Sequence, residues 1–456
     1  MIKKVFKSVK LLMVLAVIPV AKMHAANETE GAGKLELTSS EQQLVDKNNG
    51  FAFRLFGKAD NCTSMVISPL SITYALSMLN NGATGQTQKE INDVLGFGDA
   101  SMKTVNDLCH KMMTQCPVLD PLTQVSTANA VFVNQDYQLK PAFMETAQAS
   151  YDATLENRDF ADGRTLDAIN LWAGSHTNQM IPKILSESEF DPQAVSYLLN
   201  ATYFKGAWTQ KFDPSQTRSE AFGTSGELID MMHLRDNMYY AENATYQALR
   251  LPYGNKSFYM TMLLPREDKT VADIVAAIDG EHWRTAPTFG IDEVDIKLPK
   301  MDVETGLQLN QILVELGIQR AFEPKAEFSE FCDRNTYLSL MKQEARLKMD
   351  EEGTEAAAVT VGILPPSFES KTYEFHANRP FLFVISEANS GLILFIGQYA
   401  GIAKKNNTTG IQSYKSPMSK SAVYDLQGRR VTATRGNVSI VNGRKGIRGF
   451  LRQSQE

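Results

Sequence analysis

The 456 residues carry 46 Lys and Arg against 52 Asp and Glu, a net charge of −6, and 43% of them are hydrophobic. An apolar share of that size supports a large buried core and excludes a disordered chain, and the length admits one to three domains. The charge is uneven: with +5 on residues 1–25 and +7 on residues 411–456, the stretch between carries −18, which argues against nucleic acid as a partner.

Residues 1–25 differ in kind from the rest. Lys3, Lys4, Lys7 and Lys10 precede the apolar run Leu11 to Ala21, and small residues follow at Ala25 and Ala26. This pattern predicts a secretory signal peptide cut after Ala25 or Ala26, since the apolar run falls well short of the ~20 residues that a membrane span needs. A secreted, periplasmic or cell-surface protein is expected. Residues 26–39 read as a polar leader. Helical patterning then runs from about Thr38 to Leu95, interrupted at Asn61–Ile67. Ser68-Pro69 combines a capping hydroxyl with Pro at the first helical position, and Asn81-Gly82 ends that helix. Asn129–Asn134 predicts a strand and Asp167–Gln179 an amphipathic helix. Strand patterning dominates afterwards, over Ser196–Phe204, Thr245–Pro252, Ser257–Leu264, Glu293–Val303, Phe375–Glu387 and Gly391–Tyr399, with a helix over Gly306–Leu316. Helices early and strands late, without a βαβ repeat, predict an α+β fold.

The four cysteines, Cys62, Cys109, Cys116 and Cys332, are too few and too scattered for a disulfide scaffold. Cys109 and Cys116 would pair if the segment between them turned; buried free thiols are the better-supported reading. There is no GxSxG, HExxH, phosphate loop or His/Cys cluster, so neither an enzyme, a metal site nor a cofactor is expected.

The most informative stretch is Glu351 to Phe368, EEGTEAAAVTVGILPPSF. Strand side chains alternate faces, so Thr354, Ala356, Ala358, Thr360 and Gly362 would share one face and Glu355, Ala357, Val359 and Val361 the other. The first face holds nothing large or charged, as a loop that could enter a sheet as a central strand requires. An unstructured connection of about twenty residues between Asp350 and Tyr373 reads as functional.

Several separate segments resemble the serpins, a family of protease inhibitors: VISPLSITYALSMLNNGATGQTQKEI (66–91), NATYFKGAWTQKFDPSQT (200–217), LRLPYGN and MTMLLP (249–265), IKLPKMDVE (296–304), FHANRPFLFVI and GLILFIGQ. The resemblance spans about residues 40–402 and implies the family fold, three β-sheets with eight to nine helices and an exposed reactive-centre loop. It implies covalent, suicide-type inhibition of a serine or cysteine protease by a monomer, with Glu351, Gly353, Thr354, Ala356, Ala358 and Thr360 as the hinge. The family's count from Glu351 places the scissile bond between Ser367 and Phe368; Pro366 and Leu364 are alternatives. No basic residue lies between Gly353 and Ser370, so the expected targets are elastase-, chymotrypsin- or subtilisin-like. Ser68, Ser71 and Asn200 match the family's polar shutter, where Gln343 stands in place of the usual His. Trp208 matches the breach where insertion begins, and Lys300 and Glu351 match a pair at the top of the sheet. No basic helical stripe offers a heparin site. The competing reading within the family is a non-inhibitory binding or carrier protein.

Residues 403–420 read as a polar linker. Residues 421–456 form a short basic segment whose SAVYDLQGRRV…VSIVNGRKGIRGFL resembles the C-terminal segments of exported Bacteroidetes proteins, implying a sorting signal; a disordered basic extension is the alternative.

Overall fold

The computed structural model describes residues 33–224, 226–354 and 372–402, together with the backbone of 438–441 and 444–447. The expected signal peptide and most of the loop, including Ala356, Ala358, Thr360, Leu364, Pro366, Ser367 and Phe368, lie outside the described residues.

The amino-terminal part is helical. α1 (Ser39–Ala59) opens on a capping box between Thr38 and Glu41. β1 (Met65–Ile67) precedes α2 (Pro69–Asn80), which is buried along its whole length and capped by Ser68. α3 (Gly85–Leu95) stops at Gly96, whose φ of +82° suits glycine. α4 (Met102–Gln115), β2 (Thr123–Asn134), α5 (Pro141–Tyr151), β3 (Thr154–Arg158) and α6 (Arg164–His176) follow. Next come β4 (Ser196–Ala207), β5 (Arg218–Phe222), β6 (Glu227–Glu242), β7 (Tyr246–Tyr253), β8 (Phe258–Pro265) and α7 (Val271–Ala277). The remainder comprises β9 (Gly290–Pro299), β10 (Met301–Gln308), α8 (Asn310–Leu316), β11 (Leu340–Met349), β12 (Gly353–Thr354), β13 (Tyr373–His376), β14 (Phe381–Glu387) and β15 (Ile393–Tyr399). The α+β expectation holds.

One sheet runs β10-β11-β4-β2-β3, with β12 laid against the end of β4. Its inner face, carrying Leu198 and Phe204 of β4, joins the main core with α2. Its outer face, carrying Ala128, Phe132, Tyr197 and Leu199, packs against α6, where Trp172 meets Phe132 edge-on at 5.9 Å. The other sheet runs β1-β15-β14-β8-β7-β6-β9-β13, with β5 on β6. It falls into two leaves, because β6 pairs with β7 only through Tyr239–Glu242 while β9 takes Met231–Tyr240.

Several boundaries move. Glu293–Val303 is two strands: β9 and β10 belong to different sheets, with Lys300 between them bonding the Asp230 carbonyl at 2.9 Å. Phe375–Glu387 likewise breaks at Ala377–Pro380. The helix expected over Gly306–Leu316 begins at Asn310, because β10 continues to Gln308 in register with β11. The helix expected to reach Gln179 ends at His176, before positive-φ Asn178 and Gln179. α4, α5, β3, β5, β6, α7 and β11 lie outside the elements expected from the sequence. All four cysteines are free, Cys62 exposed and the others buried. Cys109 and Cys116 sit seven residues apart along a helix that does not turn back, about 10 Å of rise, beyond disulfide reach.

The carboxy-terminal residues Lys404–Glu456 form a separate compact unit. In it, β16 (Val438–Val441) and β17 (Arg444–Ile447) make an antiparallel hairpin.

Candidate functional site

The site is a seam in the six-stranded sheet. β11 and β4 pair in parallel from Leu340 opposite Tyr197 to Arg346 opposite Tyr203. Above that point β12 takes the edge of β4. Asp350 and Gly353 exchange backbone hydrogen bonds at 2.8 and 3.2 Å, closing a hairpin whose two turn residues are Glu351 and Glu352. The chain therefore leaves β11, reverses, and runs antiparallel to β4 with Gly353 opposite Ala207 and Thr354 opposite Gly206.

Gly353 is required there. Its φ is +143°, and a Cβ would lie 2.2 Å from the Gly206 carbonyl oxygen. Thr354 is fully buried and its hydroxyl meets the Tyr253 hydroxyl at 2.8 Å. Tyr253 in turn stacks on Trp208 with ring centroids 4.4 Å apart. Trp208 holds the hairpin twice: its indole N–H donates to the Asp350 carbonyl at 3.1 Å and its backbone N–H to that of Glu352 at 3.0 Å. Glu351 is almost buried and receives Lys300 Nζ at 2.9 Å and the Thr217 hydroxyl at 2.7 Å. Burial works against its charge, but the hydrogen bonds from Lys300 and Thr217 outweigh it and hold the carboxyl below its ordinary range. Tyr253 and Thr217 are contributors that sequence reading missed, although both lie inside segments that carry the resemblance.

Halfway down the seam Gln343 of β11, Asn200 of β4 and Asn129 of β2 stand side by side in register. Gln343 Nε2 donates to the Ser68 carbonyl (3.0 Å), Ser71 Oγ (2.8 Å) and Asn200 Oδ1 (2.8 Å), while its Oε1 accepts from Ser68 N at 3.0 Å. The Ser71 hydroxyl donates to Asn200 Oδ1 at 2.7 Å, and Asn200 Nδ2 donates to Asn129 Oδ1 at 2.9 Å. The Ser68 hydroxyl donates to the Leu394 carbonyl at 2.7 Å, tying α2 to the other sheet. All five residues are at most 2% exposed. Gln343 thus completes the network from the position where the family usually carries His, and Asn129 joins it unforeseen.

The arrangement defines a class of protein: a main sheet whose two central parallel strands are held together by side-chain hydrogen bonds, beside a tethered segment that has already begun to pair with one of them. Residues 46–401 match the family model described as serpin (serine protease inhibitor). The chain is 32% identical over 374 residues to Serpin B8 of Homo sapiens, covering 78% of this chain and 99% of that one. Among solved structures it resembles the thermophilic serpin tengpin in its native state (TM-score 0.74, 27% identity, 82% and 97% coverage). It also resembles human thyroxine-binding globulin complexed with thyroxine (0.71, 25%, 79% and 98%). The chain belongs to the serpin family.

Proposed function

We propose that this protein is an inhibitory serpin that traps serine endopeptidases, and by the same chemistry cysteine endopeptidases, as covalent acyl-enzymes. The observation that carries the reading is the hairpin at Glu351–Glu352, which starts β12 down the edge of β4 at the mouth of the β4/β11 seam. Continued in that register, Ala356, Ala358 and Thr360 would fall opposite Phe204, Thr202 and Asn200, on the core side, where small side chains fit. Thr360 would arrive beside the Gln343–Asn200 network and could replace the hydrogen bonds its entry breaks. On the other face Glu355 would arrive opposite Lys205, with Lys348 on β11 level with it, and neither lysine has a carboxylate partner among the described residues.

In the proposed reaction the protease nucleophile attacks the Ser367 carbonyl, the peptide bond to Phe368 breaks, and the Phe368 amine leaves. The freed loop inserts, carrying the esterified protease along a strand of about 15 residues, roughly 50 Å, and distorts it before water can cleave the ester. The lysine-led apolar start supports action outside the cytoplasm, and the basic carboxy-terminal unit supports a sorting role there. A second reading, a carrier that does not trap proteases, draws on the likeness to thyroxine-binding globulin.

The test is to mix the mature protein with elastase, chymotrypsin, subtilisin, trypsin and papain in turn, run denaturing gels and weigh the released carboxy-terminal fragment. A complex stable in detergent with any of them supports the inhibitor, and the fragment mass locates the bond. Cleavage within residues 360–370 by every protease, with no complex, sinks it and favours the carrier.

A further inference from the structure

Resting on the inhibitor reading, we propose that Glu189 and Lys342 form a clasp across the β4/β11 seam that sets how fast the cleaved loop completes its entry.

Residues 177–195 connect α6 to β4, and their hydrogen bonds reach both halves of the sheet. On one side, Asn170 of α6 accepts from the backbone N–H groups of Ile184 and Leu185 at 2.8 and 3.0 Å and donates to the Leu185 carbonyl at 2.9 Å. α6 itself packs on β2 through Trp172 and Phe132. On the other side, Glu189 receives Lys342 Nζ of β11 at 2.8 Å and Gln308 Nε2 of β10 at 3.1 Å. The Ser186 backbone N–H and hydroxyl donate to the same carboxylate at 2.9 and 2.7 Å and aim it. The connector is therefore a strap, anchored to the β2–β4 half through α6 and to the β10–β11 half through Glu189. Both charged side chains are nearly buried, 7% exposed for Lys342 and 11% for Glu189.

A strand entering between β4 and β11 moves them apart by one further strand spacing, about 4.8 Å. A pair held at 2.8 Å is then beyond the ~4 Å reach of an ion pair, so the clasp must open, or the strap must leave α6. Its place along the seam fixes when this happens. Lys342 pairs with Leu199 near the start of β4, whereas Thr354 sits opposite Gly206 near its end. The strand thus enters from the hinge end and meets the clasp last.

The cluster supplies its own control. Lys342 has a second partner, Glu344, at 3.1 Å on the same strand, which never crosses the seam. Glu189→Gln cuts the crossing tie and leaves Lys342 neutralised; Glu344→Gln cuts the other and leaves the crossing tie in place. Each variant would be nicked in the loop with saturating subtilisin, and the rate at which it gains resistance to thermal unfolding measured, with no trapping required. Glu189→Gln should insert about tenfold faster, the effect of lowering a barrier by one decade, while Glu344→Gln and the charge-preserving Lys342→Arg stay close to the parent rate. Equal rates for Glu189→Gln and the parent overturn the clasp. So does equal acceleration in Glu189→Gln and Glu344→Gln, which would mark the cluster as merely structural. A parent that gains no resistance after nicking removes the inhibitor reading itself, and that result shows in the parent before any variant is compared.

Discussion

The three consecutive residues Lys342, Gln343 and Glu344 look toward opposite faces of one sheet, and the two faces solve the same problem differently. On the inner face, Gln343, Asn200, Asn129, Ser68 and Ser71 hold the seam with neutral hydrogen bonds. On the outer face, Lys342 holds it with charge, between Glu189 and Glu344. Neutral donors and acceptors can be re-paired by whatever polar group arrives, and each is worth only about 1 kcal/mol net. When the buried ion pair separates, Lys342 keeps Glu344, but Glu189 is left with the Ser186 donors alone and faces the desolvation cost that Lys342 had offset. On the inhibitor reading proposed above, a sheet that opens once would carry an exchangeable lock on one face and a clasp that must break on the other.

The largest test of that contrast is to put charge on the inner face. Thr354 is fully buried against Tyr253. Thr354→Arg would push the hinge out of the native sheet, and insertion would then have to bury an unpaired guanidinium, a cost of roughly 3 kcal/mol or more, or at least a hundredfold in the insertion rate. Gels with a target protease should show the loop cut at the parent rate and almost no covalent complex. Undiminished trapping would mean that the inner face tolerates charge, and the distinction between the faces would fail.

The outer face should show a pH dependence. Burial pushes the Glu344 carboxyl up to about 7, against the pull of Lys342, with Glu304 of β10 and Glu189 of the strap adding to the rise. Its folded value lies above the unfolded one, so its contribution is fully present below about 4.5 and is lost as pH rises through about 7. Glu189, held down to about 2 by Lys342 and Ser186 despite its burial, titrates below this window. Between pH 4.5 and 7.5 the unfolding free energy of the native form should therefore fall by up to about 3 kcal/mol relative to Glu344→Gln. Parallel pH profiles for the two proteins would remove Glu344 from the account.

How much of this was legible depended on distance along the chain. Ser68 and Pro69 announce α2 because cap and helix are adjacent in sequence. Ser68, Ser71 and Asn200 were legible because they lie inside segments that carry the family pattern, whereas Asn129 lies outside all of them. Glu189 was not: it sits in Ser186–Phe190, where Glu187 two residues earlier offers the same chemistry and solvent, and only the return of Lys342 and Gln308 over more than a hundred residues distinguishes them. Tyr253 escaped for the same reason, since its bond to Thr354 spans 101 residues. The boundary at Lys300 does leave a trace in the sequence, since the buried set moves from the even positions Val294, Ile296 and Leu298 to the odd positions Met301 and Val303 as the chain changes sheets, but the unbroken run of strand formers covers it.

The finest test places a titratable group on the inner face. The Gln343 amide spreads its two N–H donors over three acceptors and accepts one bond at its oxygen. Neutral imidazole offers one donor and one acceptor, so Gln343→His should cost about 1 kcal/mol at pH 8, a shift of a few degrees in the unfolding midpoint. Burial at this site disfavours the imidazolium and lowers its folded pKa below the unfolded value of about 6.5. The stability that the neutral ring supplies is then present above about 6.5 and lost as pH falls. That slope is opposite in sign to the one from Glu344, so Gln343→His in the Glu344→Gln background should lose stability toward acid where the parent gains it. A variant with no acid loss would mean that the ring charges freely at the seam, and that the inner face is wetter than its burial indicates.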